Sequence, residues 1–96
     1  MYITTTMRYL YDPDKQAINL KKHGLSFDDA RAVIESGDTV TFEDRRFAYD
    51  EVRYLTLGLL RGEVVAISTT ETDTTIRIFS MRKAEKNEQK IYFENR

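Results

Sequence analysis

Apolar residues recur at helical spacing in the first third of the chain and alternate with polar residues in most of the remainder. Asp12-Pro13 is typical of a helix start, because aspartate caps free N–H groups and proline suits the first helical position. We expect this helix to run to His23 and to end at Gly24, since glycine readily adopts the left-handed conformation found after helices. Its predicted inward face comprises Ala17, Ile18 and Leu20.

A second helix is predicted to begin at Ser26, which forms a capping-box-like pair with Asp29. It is expected to end at Gly37. Helical spacing then gives the residues that should pack onto the core, namely Phe27, Ala30, Val33 and Ile34.

The remaining pattern predicts strands over 7–11, 39–42, 52–60, 63–70 and 75–82, with a polar loop over 43–50 that carries Arg45, Arg46 and Tyr49. Tight links at Arg61-Gly62 and at 72–74 make the last three strands antiparallel neighbours. The chain closes with a polar helix over 83–94, anchored by Ile91 and Tyr92.

This order of elements predicts one α+β domain over residues 1–96, with residues 1–6 as a loose N-terminal extension. In it, an antiparallel sheet of about four strands packs on the two N-terminal helices, and a C-terminal helix follows. Alternation places Arg53 on the side of Leu55, Leu57 and Leu59. It places Arg82 on the side of Ile76, Ile78 and Ser80, and Arg77 opposite, beside Phe79 and Met81.

Charge changes this picture. Fifteen Lys and Arg residues meet sixteen Asp and Glu residues, so the net charge is −1. A nucleic-acid binder needs a basic patch, which must here come from the arrangement of the cationic residues and not from an excess of them.

There is no cysteine, which excludes a disulfide scaffold. No apolar run approaches the roughly 20 residues of a membrane span, so we expect a cytoplasmic protein without membrane contact.

The single histidine and scattered carboxylates show no metal-ligand spacing, so we expect no metal and no other cofactor. RNA can be cut without a metal when its 2′-hydroxyl attacks the adjacent phosphate, which requires a base, an acid and cations. The residues of suitable type are Lys22, His23, Arg53, Arg77, Arg82 and Tyr92.

Five of these six residues also have a purely structural explanation. His23 can interact with the helix dipole, and Tyr92 can anchor the last helix. Arg53 and Arg77 can pair with Glu51 and Glu71, while Arg82 can simply be solvated. From the residues alone, the chemistry extends only to a small domain that binds phosphate.

Three stretches together resemble the BrnT family of toxins. The first stretch, Tyr11-Asp12-Pro13-Asp14-Lys15 followed by Asn19 to Ala30, resembles the family's aromatic-Asp-Pro-x-Lys and Asn-x-x-Lys-His-Gly-Val-x-Phe-x-Glu-Ala. The second, Asp44-Arg45-Arg46 with Tyr49 to Tyr54 and Gly58, resembles its Asp-x-Arg, Gly-Glu-x-Arg and strand glycine. The third, Ile76 to Ala84 with Glu88 and Tyr92, resembles its Arg-Ile-Ile-Ser-Ala-Arg-x-Ala ending.

The resemblance implies a RelE-like ribonuclease fold and a type II toxin–antitoxin system. The protein would cleave RNA to arrest growth. A BrnA-like antitoxin would neutralise it and would contact operator DNA through its own DNA-binding domain. Carried over by motif position, the residues expected to contact or cleave RNA are Lys22, His23, Arg53, Arg77 and Arg82.

Two alternatives remain open. Met81 stands where the family commonly has alanine, which leaves a catalytically weak homologue that acts mainly by binding antitoxin. The two N-terminal helices have the outline of a DNA-reading helix–turn–helix, but Asp28, Asp29 and Glu35 would face phosphates with only Arg31 in compensation.

Overall fold

A computed structural model describes residues 6–45 and 51–96. Within them the chain forms five strands and three helices. The strands are β1 (Arg8–Leu10), β2 (Thr39–Asp44), β3 (Arg53–Leu60), β4 (Glu63–Glu71) and β5 (Thr75–Lys83). The helices are α1 (Pro13–His23), α2 (Ala30–Ile34) and α3 (Lys86–Asn95), and a 3-10 turn, Phe27–Asp29, precedes α2.

The sheet has the strand order β1-β5-β4-β3-β2. The last four strands pair antiparallel, whereas β1 pairs parallel with β5. The predicted α+β class with a C-terminal helix is confirmed, but the sheet has five strands and is mixed. The fifth strand arises because the short segment 7–11, which the sequence identified as a strand, joins the same sheet.

Local signals set the boundaries of α1 as predicted, whereas the predicted second helix is divided into the 3-10 turn and α2 and ends at Ile34, three residues before Gly37. The Asp12 carboxylate accepts a hydrogen bond from the Asp14 N–H at 2.8 Å, and Gly24 ends α1 with φ 70°. The Ser26 hydroxyl caps the 3-10 turn by accepting from Asp28 N–H, in place of the predicted pair with Asp29. The turn Arg61-Gly62 links β3 to β4 with both residues at positive φ, as tight hairpins require.

Two apolar clusters occupy the two faces of the sheet, which we call the α2 face and the α3 face. The cluster on the α2 face consists of Leu25, Phe27, Ala30, Val33, Val65, Ile67, Ile78 and Met81. The cluster on the α3 face consists of Leu55, Leu57, Val64, Ala66, Ala84 and Tyr92. The four residues predicted to carry the second helix into the core do so, with Ile34 partly buried. On the opposite side, α3 covers part of the other face of the sheet.

Helix α1 contradicts its predicted packing. Ala17, Ile18 and Leu20 are all exposed, and Asn19 is the buried residue. The cause lies in strand β5, whose outer edge is paired with β1 only at Thr75, Ile76 and Arg77. Further along, Asn19 binds the bare edge: its Oδ1 accepts from the Met81 N–H at 3.1 Å, and its Nδ2 donates to the Met81 carbonyl at 2.9 Å. Helix α1 is therefore attached through hydrogen bonds.

The last helix begins three residues later than predicted, because β5 continues to Lys83. Of its two predicted anchors, Tyr92 is fully buried and donates a hydrogen bond to the Asp38 carbonyl at 3.1 Å. Ile91 is 37% exposed and is not an anchor. No helix in the described ranges is long and apolar enough to cross a membrane.

Helix α2 is only five residues long, and Ala30 and Val33 are buried in the core. Its single arginine, Arg31, is paired with Glu35 at 2.7 Å. A helix this short, with two residues buried in the core and its arginine in an ion pair, cannot read a DNA groove. This argues against the helix–turn–helix alternative.

Candidate functional site

A β-bulge in β5 decides which cations lie together. Ser68 pairs with Ser80 while Thr69 pairs with Ile78, so Phe79 is an extra residue with no partner on β4. A bulge of this kind shifts the inward–outward alternation by one residue. Ile78 and Met81 consequently share the α2 face, where both are buried.

The same shift places Arg77 and Arg82 on one face. Arg77 pairs with Thr70 and Arg82 with Ala66, and both partners alternate onto the α3 face of β4. The predicted separation of Arg77 from Arg82 is therefore wrong, as is the grouping of Arg82 with Ile76 and Ile78. Regular alternation does not hold across an extra residue.

A shallow cleft of about 180 Å³ lies where α1 meets the bulge. Its described lining consists of Lys15, Ile18, Asn19, Lys22, His23, Phe79 and Ser80. It contains two lysines and the histidine but no carboxylate. The cleft thus supplies, by arrangement, the basic patch that a net charge of −1 cannot supply by excess.

Arg53 lies over the ring of Phe79, which is one of the residues that line this cleft. Its guanidinium carbon lies 4.0 Å from the centroid of the Phe79 ring, and the Lys15 Nζ lies 4.9 Å from the same centroid. Both distances are within cation–π range. Arg53 also forms the predicted ion pair with Glu51, at 3.9 Å. Arg53 and Lys15 therefore contact the same aromatic ring, which forms part of the cleft lining.

Arg77 lies on the same sheet face, two residues before Phe79, and is exposed. The predicted pairing with Glu71 is not formed. In residues 6–45 and 51–96, neither the Arg77 guanidinium nor the His23 ring has a side-chain hydrogen bond or ion pair. Both groups are therefore available to a ligand on this face.

Arg82 differs from the other four predicted residues. Its two terminal nitrogens donate to the Glu88 carboxylate at 2.7 and 3.0 Å, and its side chain is 22% exposed. Glu88 is buried and also accepts from the Glu85 N–H at 2.8 Å, completing the capping box that starts α3. Arg82 thus links β5 to α3, which corrects the expectation of a solvated side chain.

The structure brings Lys22 and His23 together in one cleft and places Arg53 against Phe79 of its lining. Arg77 lies on the same sheet face, and Arg82 is paired with Glu88 of α3. Sequence reasoning missed Lys15 and Phe79 as members. Lys15 was detectable, because it lies seven residues before Lys22 and so on the same side of the helix. Phe79 was not, because nothing in the sequence marks the bulge. Arg46, Tyr49 and Asp50, which belong to the predicted loop and to the family-like middle stretch, lie outside the described residues.

The described residues contain no cluster of three or more His, Asp or Glu side chains that could hold a metal ion.

Burial is the main reason that the pKa of Tyr92 is raised. Its hydroxyl stays protonated at neutral pH and donates to a backbone carbonyl, which suits an anchor of α3.

Residues 11–88 match the family model described as the ribonuclease toxin BrnT of a type II toxin–antitoxin system. No curated protein gives a significant match to the chain.

Proposed function

Because this chain belongs to the BrnT family of ribonuclease toxins of type II toxin–antitoxin systems, we propose that it cleaves RNA without a metal ion. Family membership implies a protein antitoxin as its partner. We further propose that this antitoxin is BrnA-like, with a DNA-binding domain through which the complex contacts operator DNA. The observation that carries the catalytic proposal is the carboxylate-free cleft lined by Lys15, Lys22 and His23.

In the proposed reaction the 2′-hydroxyl of RNA attacks the adjacent phosphorus. The hydroxyl proton passes to a base, the P–O5′ bond breaks, and the departing 5′ oxygen receives a proton from an acid. The products are a 2′,3′-cyclic phosphate and a 5′-hydroxyl. No water, oxidant or cofactor is consumed in this step.

The cleft residues have the properties that this reaction requires. Imidazole is the side chain that ordinarily exchanges a proton near neutral pH, so His23 is our candidate for proton transfer, with Lys22 next to it. Arg53 and Arg77 present guanidinium groups, which match phosphate oxygens and stabilise the charge of the phosphorane. Lys15 would bind a neighbouring phosphate.

We propose that Arg82 affects cleavage only indirectly, through its structural role. Its bidentate pair with Glu88 occupies both terminal nitrogens. It fixes the end of β5 on which Asn19 and the cleft depend, so its effect on cleavage should follow its effect on folding.

The test compares Lys22→Ala with Lys21→Ala, two neighbouring exposed lysines of which only Lys22 lines the cleft. Purified proteins are incubated with RNA in excess EDTA, and the new ends are analysed for a cyclic phosphate. We expect Lys22→Ala and His23→Ala to slow cleavage by about 100-fold or more, and Lys21→Ala to cleave at nearly the wild-type rate.

Three results would contradict the proposal. Loss of cleavage in EDTA would establish a metal requirement. Equal rates for the two lysine variants would remove the cleft from the mechanism. Absence of cleavage by the wild-type protein, together with antitoxin binding, would instead support the catalytically weak homologue.

A further inference from the structure

A second concave surface lies on the α3 face, between the outer strand β2 and helix α3. We call it the β2–α3 groove; it measures about 390 Å³. The described residues that line it are Phe42, Glu43, Asp44, Arg45, Leu55, Glu85, Asn87, Glu88 and Ile91. The cleft described above shares none of these residues.

The groove has an apolar floor that is open to solvent. Phe42 pairs in register with Leu55, so both point to the α3 face of the sheet, and Ile91 faces them from the helix. Phe42 is 38% exposed and Ile91 is 37% exposed. Large apolar side chains grouped in a concave surface are typical of binding sites.

Strand β2 adds an open backbone edge to this surface. It is the terminal strand of the sheet, and within the described residues no further strand pairs with its outer side. Thr41, Phe42 and Glu43 are consecutive exposed residues along it. An edge of this kind can accept an extended segment of another chain, whose alternate side chains would then lie beside Phe42.

The charge of the groove is opposite to that of the cleft. Four carboxylates line it against one guanidinium, that of Arg45. Arg82 pairs with Glu88 from behind, and Arg45 pairs with the exposed Glu43 at 3.4 Å, while Glu85 is exposed at the rim. Four carboxylates against these two guanidinium groups leave the groove acidic. Such a rim repels RNA and attracts the side chains of lysine and arginine.

We propose that the β2–α3 groove binds an extended, basic segment of the protein antitoxin. An apolar side chain of that segment fills the space over Leu55 between Phe42 and Ile91, and flanking lysine or arginine residues contact Glu43 and Glu85. This inference rests on the proposed toxin function, since it takes the antitoxin of that system as the occupant. In this arrangement the antitoxin and the RNA bind at two different places on the surface of one small domain.

The test uses two groove variants with matched controls. Ile91→Lys places a positive charge in the groove, and Phe93→Lys makes the same change at an exposed residue of α3 that does not line it. Glu43→Lys reverses a rim charge, and Glu94→Lys reverses a carboxylate elsewhere on α3. The antitoxin encoded with this toxin is titrated into each protein by calorimetry, and RNA cleavage is measured in parallel.

We expect both groove variants to raise the dissociation constant by roughly tenfold or more, as loss of an interface hot spot does. The two controls should bind nearly as the wild type does, and all four variants should cleave RNA at nearly the wild-type rate. Wild-type affinity in both groove variants would overturn the inference and leave the toxin assignment intact. A wild-type protein that neither cleaves RNA nor binds the antitoxin would instead refute the proposed function.

Two further outcomes would give the groove to another occupant and would equally overturn the inference. One is reduced RNA cleavage by the groove variants at unchanged antitoxin affinity. The other is a toxin that sediments as a dimer by itself and becomes monomeric in Ile91→Lys, which would mark the groove as a contact between two copies of this chain.

Discussion

Replacement of Asn19 by alanine should destabilise the protein more than any other single change to a polar residue of α1. The Asn19 side chain is buried and forms three hydrogen bonds. Its Nδ2 donates to the carbonyls of Leu25 and Met81, at 3.0 and 2.9 Å, and its Oδ1 accepts from the Met81 N–H at 3.1 Å. Alanine removes all three partners at once.

The expected size of the effect follows from the groups left behind. Each buried backbone group without a partner costs about 1–3 kcal/mol. Three such groups, with some relief from water entering at the outer edge of β5, give a loss of about 3–4 kcal/mol. A domain of this size has a total stability of roughly 5–15 kcal/mol, so the variant should remain folded at low temperature.

Urea denaturation measures this loss. With a slope of about 1–1.5 kcal/mol per molar urea for a small domain, we expect the midpoint to fall by roughly 2–4 M. Asn95→Ala is the matched control, because Asn95 makes one exposed bond, to the Ile91 carbonyl at 2.8 Å. It should cost about 0.5 kcal/mol or less, as surface substitutions do.

A second substitution separates the hydrogen bonds from packing. Asn19→Asp keeps the shape and the acceptor for the Met81 N–H, but it sets a carboxylate against the carbonyls of Leu25 and Met81. We expect it to be about as destabilising as alanine at neutral pH and to recover in part on acidification, when the carboxyl group can donate. If Asn19→Ala costs no more than Asn95→Ala, the attachment of α1 through the edge of β5 is refuted.

Three other predictions concern packing, the α3 contact and pH. Gly58→Ala should cost about 1–3 kcal/mol in thermal denaturation, because its Cβ would lie 2.6 Å from the Val33 Cγ1; a neutral effect would mean that the contact relaxes freely. Arg82→Ala leaves the buried Glu88 carboxylate without its guanidinium and should cost about 1–3 kcal/mol, discounted for partial exposure; a 100-fold loss of cleavage at unchanged melting temperature would make Arg82 catalytic. The pKa of Tyr92 is raised by burial from an ordinary value of 10.0, so the unfolded chain loses this proton first and stability falls as pH rises above about 10. Tyr92→Phe should flatten that alkaline decline, and an unchanged slope would contradict the assignment.

Much of the secondary structure could be predicted because its signals are local. Asp12-Pro13 starts α1 and Gly24 ends it, since capping and positive φ depend on a few neighbouring residues. The hairpin at Arg61-Gly62 follows for the same reason. Lys22 and His23 could likewise be placed together at one helix end from the sequence alone.

The grouping of the site residues could not be predicted in the same way. Alternation separated Arg77 from Arg82, and a single unpaired residue, Phe79, reversed that result. The bulge depends on how β4 and β5 pair, and no residue in either strand marks it. The contact of Arg53 on β3 with the Phe79 ring on β5 crosses the intervening strand β4 and has no counterpart in sequence spacing.

The sequence by itself therefore determined the order of the elements, the two ends of α1 and the kinds of side chain available for phosphate chemistry. These follow from local backbone preference and from hydrophobic periodicity. Only the tertiary structure decided that Asn19, and not Leu20, is the buried residue of α1, and that Arg82 holds α3 through Glu88. The physical reason is that these hydrogen-bond partners lie 62 and 6 residues apart in the chain. Which groups pair depends on which backbone and side-chain groups the fold removes from water.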